Sequence, residues 1–120
     1  MTESELLRRT KQFSLRVLKL VEALPKTASG RAIGAQLVRS GTSVGCNYRA
    51  ACRGRSKREF IAKLGVVEEE ADESSFWMEL FIEGGLLKPA LVQPLQDEAT
   101  AISRIMARSR LTASASQTRR

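Results

Sequence analysis

The sequence predicts an all-α protein, an up-down-up-down antiparallel four-helix bundle, and three observations carry that prediction. Apolar and small residues recur at alternating steps of three and four in four separate stretches, the spacing that puts them on one helical face. Glycine and proline punctuate the gaps between those stretches, and no alternating strand pattern or internal repeat occurs anywhere. The gaps are short, which makes successive helices antiparallel neighbours. A chain of 120 residues is one domain that buries roughly two thirds of its unfolded surface without needing a disulfide or metal.

The first helix is expected over residues 4–24, with Leu6, Thr10, Phe13, Val17, Leu20 and Leu24 as its stripe, ended by Pro25. The second begins at Ser29 or Gly30, either of which can cap it, and reaches Cys52 through Ile33, Leu37, Ser40, Val44, Tyr48 and Ala51. Its interior glycines, Gly34, Gly41 and Gly45, each cost up to about 1 kcal/mol relative to alanine. Close approach of another helix would offset that cost, either inside the bundle or across a subunit contact. Gly54 stands where a left-handed residue would close this helix.

The third helix starts at a capping box, Ser56 with Glu59, and carries Phe60, Leu64, Val67, Ala71, Ser74, Met78 and Phe81 to a stop at Gly84-Gly85. Pro89 and Pro94 suit a connection or a first turn. The fourth helix then follows on Leu91, Leu95, Ala99, Ile102 and Met106, with Asp97 and Glu98 near its start and Arg104, Arg108 and Arg110 near its end, matching the helix dipole. From Thr112 the pattern lapses, so residues 1–111 read as the bundle and 112–120 as a disordered C-terminal tail. Helices of these lengths give a bundle about 30 to 40 Å long.

Charge adds a polarity to this plan. The net charge of +7 favours polyanions through steering and counterion release. In an up-down-up-down bundle one pole gathers the start of helix one, the end of helix two, the start of helix three and the end of helix four. There Arg8, Arg9, Lys11, Arg49, Arg53, Arg55, Lys57, Arg58, Lys63, Arg104, Arg108, Arg110, Arg119 and Arg120 face only Glu3, Glu5 and Glu59. The acidic half of helix three, from Glu68 to Glu83, points to the other pole, so an electrical dipole along the long axis is expected. The basic pole reads as a surface for RNA or DNA phosphates, held by charge and guanidinium forks without base reading. Two other readings stand beside it: subunit pairing of basic and acidic surfaces, and ordinary solvation. Tyr48 and Phe60 could stack on bases there, but their stripe positions favour core packing.

The residues offer little to an enzyme. The absence of histidine excludes Ser-His and Cys-His machinery and His-rich metal sites. Glu69 and Glu73 read as a solvated or contact face rather than a catalytic pair, and no metal or other cofactor is expected. Cys46 and Cys52, six apart on one helix, lie roughly 9 Å apart along its axis, too far to bridge. No window approaches the ~18 apolar residues of a membrane span and no secretory signal opens the chain, so a cytoplasmic protein is expected.

Residues 36–80 resemble the four-helix bundle family that includes proteins encoded in intervening sequences of bacterial 23S ribosomal RNA genes. The ordered set that carries the resemblance is Arg39-Ser40, Thr42-Ser43-Val44, Asn47-Tyr48, Arg55-Ser56, Glu59-Phe60, Lys63-Leu64, Glu70-Ala71-Asp72-Glu73, Trp77 and Glu79-Leu80. Cys46 stands where many members have alanine, and Ala50 where they have glutamate or a similar residue. The resemblance implies a ring-like homopentamer and no established catalysis. It further implies kinship with the accessory protein of diversity-generating retroelements, which associates with nucleic acid and reverse transcriptase.

The expectation is therefore a non-enzymatic homo-oligomer whose clustered basic poles bind RNA or DNA with little sequence preference. Arg8, Arg9, Arg49, Arg53, Arg55, Lys57, Arg58, Lys63, Arg104 and Arg108 would carry that binding, and Gly34, Gly41, Gly45, Glu69 and Glu73 are candidates for the subunit contact. The alternative is a protein-interaction scaffold or accessory subunit of a nucleic-acid-processing enzyme that binds no nucleic acid itself. A toxin or regulatory module is a third reading, with no residue to distinguish it.

Overall fold

The computed structural model describes residues 1–118, in four helices: α1 (Glu3–Glu22), α2 (Ala28–Cys52), α3 (Lys57–Glu83) and α4 (Pro89–Thr118). Each helix packs on its chain neighbour and α1 closes on α4 along the sparsest seam, with no diagonal pair in contact. That is the up-down-up-down order. Leu6, Thr10, Phe13, Val17 and Leu20 of α1 are buried, as are Leu37, Ser40, Val44, Tyr48 and Ala51 of α2 and Leu64, Val67, Ala71, Ser74, Met78 and Phe81 of α3. In α4 the buried row is Val92, Leu95, Ala99, Ile102 and Met106, whereas Leu91 is 52% exposed. Both residues lie one turn before Leu95, and Val92 is the one that continues the three-four alternation inward.

The helix ends explain themselves chemically. Thr2, Thr27 and Ser56 each accept a hydrogen bond from the amide three residues on, at 3.1 Å in every case, and each such cap contributes about 1 kcal/mol. Thr27, rather than Ser29 or Gly30, therefore caps α2; Gly30 is needed instead because a Cβ there would run into the Pro25 carbonyl. The Glu59 carboxylate returns to the amide of Arg55 at 2.6 Å, one residue before the position a standard capping box uses. α1 stops at Glu22, as Ala23 and Leu24 tighten onto Leu20 and Val21 ahead of Pro25. Gly54 does not take the left-handed conformation expected of it. Its amide bonds to Ala51 in a tight turn against Phe60. Gly85 does take it, with φ 70°, and closes α3 with paired bonds from Leu86 to Phe81 (2.9 Å) and from Gly85 to Ile82 (3.1 Å).

Two further expectations need correction. α4 starts at Pro89, tolerates Pro94 in its second turn, and remains helical through Thr118, past the boundary expected near residue 111. The long axis is accordingly 53 Å rather than 30 to 40 Å. The glycines of α2 resolve in favour of the bundle interior: Cβ atoms at Gly34, Gly41 and Gly45 would lie 2.9 Å from Leu24, 2.7 Å from Val17 and 2.8 Å from Ser14 Oγ. The face these glycines open is filled by α1 and its following turn in the same chain. Ser14 stitches that seam by donating to the Gly41 carbonyl at 2.9 Å and accepting from the Gly45 amide at 3.3 Å. The α2–α3 seam buries a Ser40–Ser74 hydroxyl pair at 2.8 Å. No buried side-chain polar atom lacks a partner among the described residues.

Candidate nucleic-acid interface

The antiparallel order brings the start of α1, the end of α2, the start of α3 and the end of α4 to one pole, as the topology requires. Arg8, Lys11, Arg49, Arg53, Arg55, Arg58, Lys63, Arg104 and Arg108 are all exposed there, and none forms an ion pair among the described residues. They come from all four helices, so the charge forms a belt around the pole rather than a patch on one side. Arg104 and Arg108 lie one turn apart on α4. Arg58 sits in the first turn of α3, where exposed helix amides already favour anions. Lys57 is half-buried and its ammonium donates to Ser116 Oγ at 3.0 Å, tying α3 to α4 through a neutral partner. Arg119 and Arg120 lie outside the described residues.

Arg9 departs from the expected set. Its guanidinium forks onto the Glu98 carboxylate at 2.7 and 2.8 Å, closing the α1–α4 seam. Those hydrogen bonds raise its pKa against the opposing effect of burial. Arg110 is likewise held by Glu68 at 3.0 Å. Neither is a free phosphate ligand.

The acidic half of α3 is also less free than its sequence suggests. Arg39, a cation the charge reading passed over, pairs with Glu70 at 3.2 Å and with Glu73, and Glu73 accepts from the Trp77 indole at 3.1 Å. Glu73 is thus engaged within its own chain, while Glu69 stays exposed. At the far pole Lys26, Arg31 and Lys88 stand among Glu22, Glu79 and Glu83. One end is cationic and the other mixed, in place of a simple dipole. Phe76, half exposed, meets Trp77 edge to face with centroids 5.2 Å apart, on the same helix as Glu69, Asp72 and Glu79, which are exposed and form no ion pair among the described residues.

Tyr48 is only 3% exposed, and burial foremost pushes its phenol well above the ordinary range; Phe60 is half-buried against the core. Core packing is what these aromatics do. Burial likewise pushes the Cys52 thiol up. Beside them, the outer seam of α1 and α2 opens into a groove of about 670 Å³ between Lys11 on one bank and Arg49 and Arg53 on the other. The charge reading counted those cations but not the groove, because only the packing of α1 on Gly45 shows it. Among the described residues no cluster of three or more His, Cys, Asp or Glu side chains could hold a metal ion.

Set against known proteins, residues 2–108 match the model of the 23S rRNA-intervening sequence protein family. Among solved structures, a protein of unknown function from the S23 ribosomal protein family of Bacteroides thetaiotaomicron superposes with a TM-score of 0.84 at 26% identity. The match covers 92% of this chain and 98% of that one. No curated protein matches.

Proposed function

Because the chain belongs to the 23S rRNA-intervening sequence protein family, we propose that it is a non-enzymatic, homo-oligomeric four-helix bundle, pentameric and cytoplasmic, that binds RNA or DNA phosphates through its basic pole with little sequence preference. The observation that carries this reading is the contrast in pairing. Arg9, Arg39 and Arg110 are neutralised by Glu98, Glu70 with Glu73, and Glu68, while the exposed cations of the pole have no carboxylate partner among the described residues. Stability does not ask for Arg58 in the first turn of α3, where the helix dipole opposes cations. A phosphate does. A ring closed by rotation would gather several such poles on one rim, so that weak contacts add through effective concentration.

The test is fluorescence anisotropy of labelled RNA and DNA from low to near-physiological salt. Affinity should fall linearly on logarithmic axes, with a slope set by the number of phosphates neutralised. Sedimentation of the same samples tests the pentamer. A second reading has its own observation: half-exposed Phe76, on a helix that also presents the exposed Glu69, Asp72 and Glu79, suits a basic protein partner. On that reading the chain is a scaffold or an accessory subunit of a nucleic-acid enzyme such as a reverse transcriptase. Converting the pole to alanine would then leave partner capture through α3 intact and find no nucleic-acid binding to lose. No helix among the described residues is long and apolar enough to cross a membrane.

A further inference from the structure

We infer that the basic pole takes single-stranded rather than duplex nucleic acid, with a base of the strand set into the α1–α2 groove and its phosphates on Lys11, Arg49 and Arg53. This rests on the reading of the pole as a phosphate surface and adds which form of nucleic acid it takes and where. The groove measures about 670 Å³, room enough for a nucleobase with its sugar, and its lining includes Leu7 and the exposed thiol-bearing side chain of Cys46. Cations stand on both banks: Lys11 from α1, Arg49 from the last turn of α2 and Arg53 from the cap that follows it. Among the described residues Glu3 is the single acid in its lining. An apolar slot rimmed by cations matches the two halves of a nucleotide, the base and the phosphate.

Arg49 in the last turn of α2 and Arg53 at its C-cap are four residues apart, roughly 6 Å along the helix direction, so their guanidiniums can follow consecutive phosphates or lie flat on a base. They take the stacking role that Tyr48 cannot, because Tyr48 is buried in the core. A second hollow near this pole, beside Arg9 on the α1–α4 side, has that arginine already neutralised by Glu98. A duplex keeps its bases stacked inside and would have to flip one out to fill the groove, at a cost of a few kcal/mol. A single strand has no such cost, so the groove discriminates between the two.

The experiment compares three labelled ligands on the full chain at one salt concentration: an oligouridine of about ten nucleotides, an abasic sugar-phosphate strand of equal length, and a duplex of equal phosphate number. Oligouridine should bind about tenfold tighter than either of the others, the effect of stacking a base or so. It should also slow maleimide alkylation of Cys46, which the abasic strand should not. Cys46→Trp, which fills the groove and keeps every cation, should reduce oligouridine to the abasic affinity. Equal affinity for all three ligands with Cys46 unprotected in the unmutated chain would overturn the groove while leaving the phosphate surface standing. No binding of any ligand would overturn both.

Discussion

The two ends of this bundle are built from similar numbers of helix termini and yet differ in what their charges do. At the far end Lys26, Arg31 and Lys88 are set among Glu22, Glu79 and Glu83, so a passing polyanion meets little net field. At the near end the belt from Arg8 to Arg108 has Glu3, Glu5 and Glu59 beside it, of which Glu59 is occupied with the Arg55 amide, and Glu68 is taken up by Arg110. Other cations are spent on the fold: Arg9 on Glu98 and Arg110 on Glu68 beside the belt itself, and Arg39 on Glu70 and Glu73 further along the bundle. The difference teaches that net charge alone is a poor guide to a binding surface. What matters is which cations have been left without partners.

The comparison can be broken most directly by removing charge from each end in turn. Converting Arg53, Arg55, Lys57 and Arg58 together to alanine should weaken RNA binding at low salt by about a hundredfold and flatten its salt slope. Converting Lys26, Arg31 and Lys88 should change affinity by less than about threefold. Equal losses at both ends, measured by anisotropy, would make the binding diffuse attraction to a basic protein. Next in size is a change to the body. Gly41→Leu forces a side chain into Val17 and should cost about 1 to 3 kcal/mol in urea melts, while the fraction that stays folded keeps its salt slope. A glycine that tolerated leucine would mean the α1–α2 seam is looser than its geometry shows.

Ser56→Ala removes the cap of α3 at the centre of the basic pole and should cost about 1 kcal/mol in the same melts. The smallest effect concerns pH. Folding raises the pKa of both Tyr48 and Cys52, chiefly through burial, so the fold favours the protonated, neutral forms. Their contribution is fully present below the ordinary values of the unfolded chain, about 8.5 for a thiol and 10 for a phenol, and is lost as pH rises above them. Thermal melts should therefore decline between pH 8 and 10.5, and Tyr48→Phe should remove the phenol's part of the decline.

Much of the fold was legible because a helix reports its buried face every three to four residues. The row Leu64, Val67, Ala71, Ser74, Met78, Phe81 is both the expected stripe and the buried one. Legibility failed where two residues satisfy the same spacing, as Leu91 and Val92 do, and where several residues can cap, as around Thr27. It failed again beyond residue 111, where alanine and serine carry no apolar signal yet continue as helix. The clustering of cations at the candidate site was legible in outline, since topology alone brings the four basic termini together. Its pairings were not. Arg9 and Glu98 are 89 residues apart, and their meeting depends on the axial register of α1 against α4, which no local pattern encodes. The groove beside Lys11 and Arg49 is likewise a product of how closely α1 settles on Gly45.

The measurement closest to the central claim is a salt titration of RNA binding by the unmutated chain and by the Arg53, Arg55, Lys57, Arg58 quadruple alanine variant, side by side, with circular dichroism on both. The account predicts tight binding at low salt, a steep loss with added salt for the unmutated chain, and a clearly shallower slope for a variant that remains helical. No binding at low salt, or the same slope in both proteins, would contradict it.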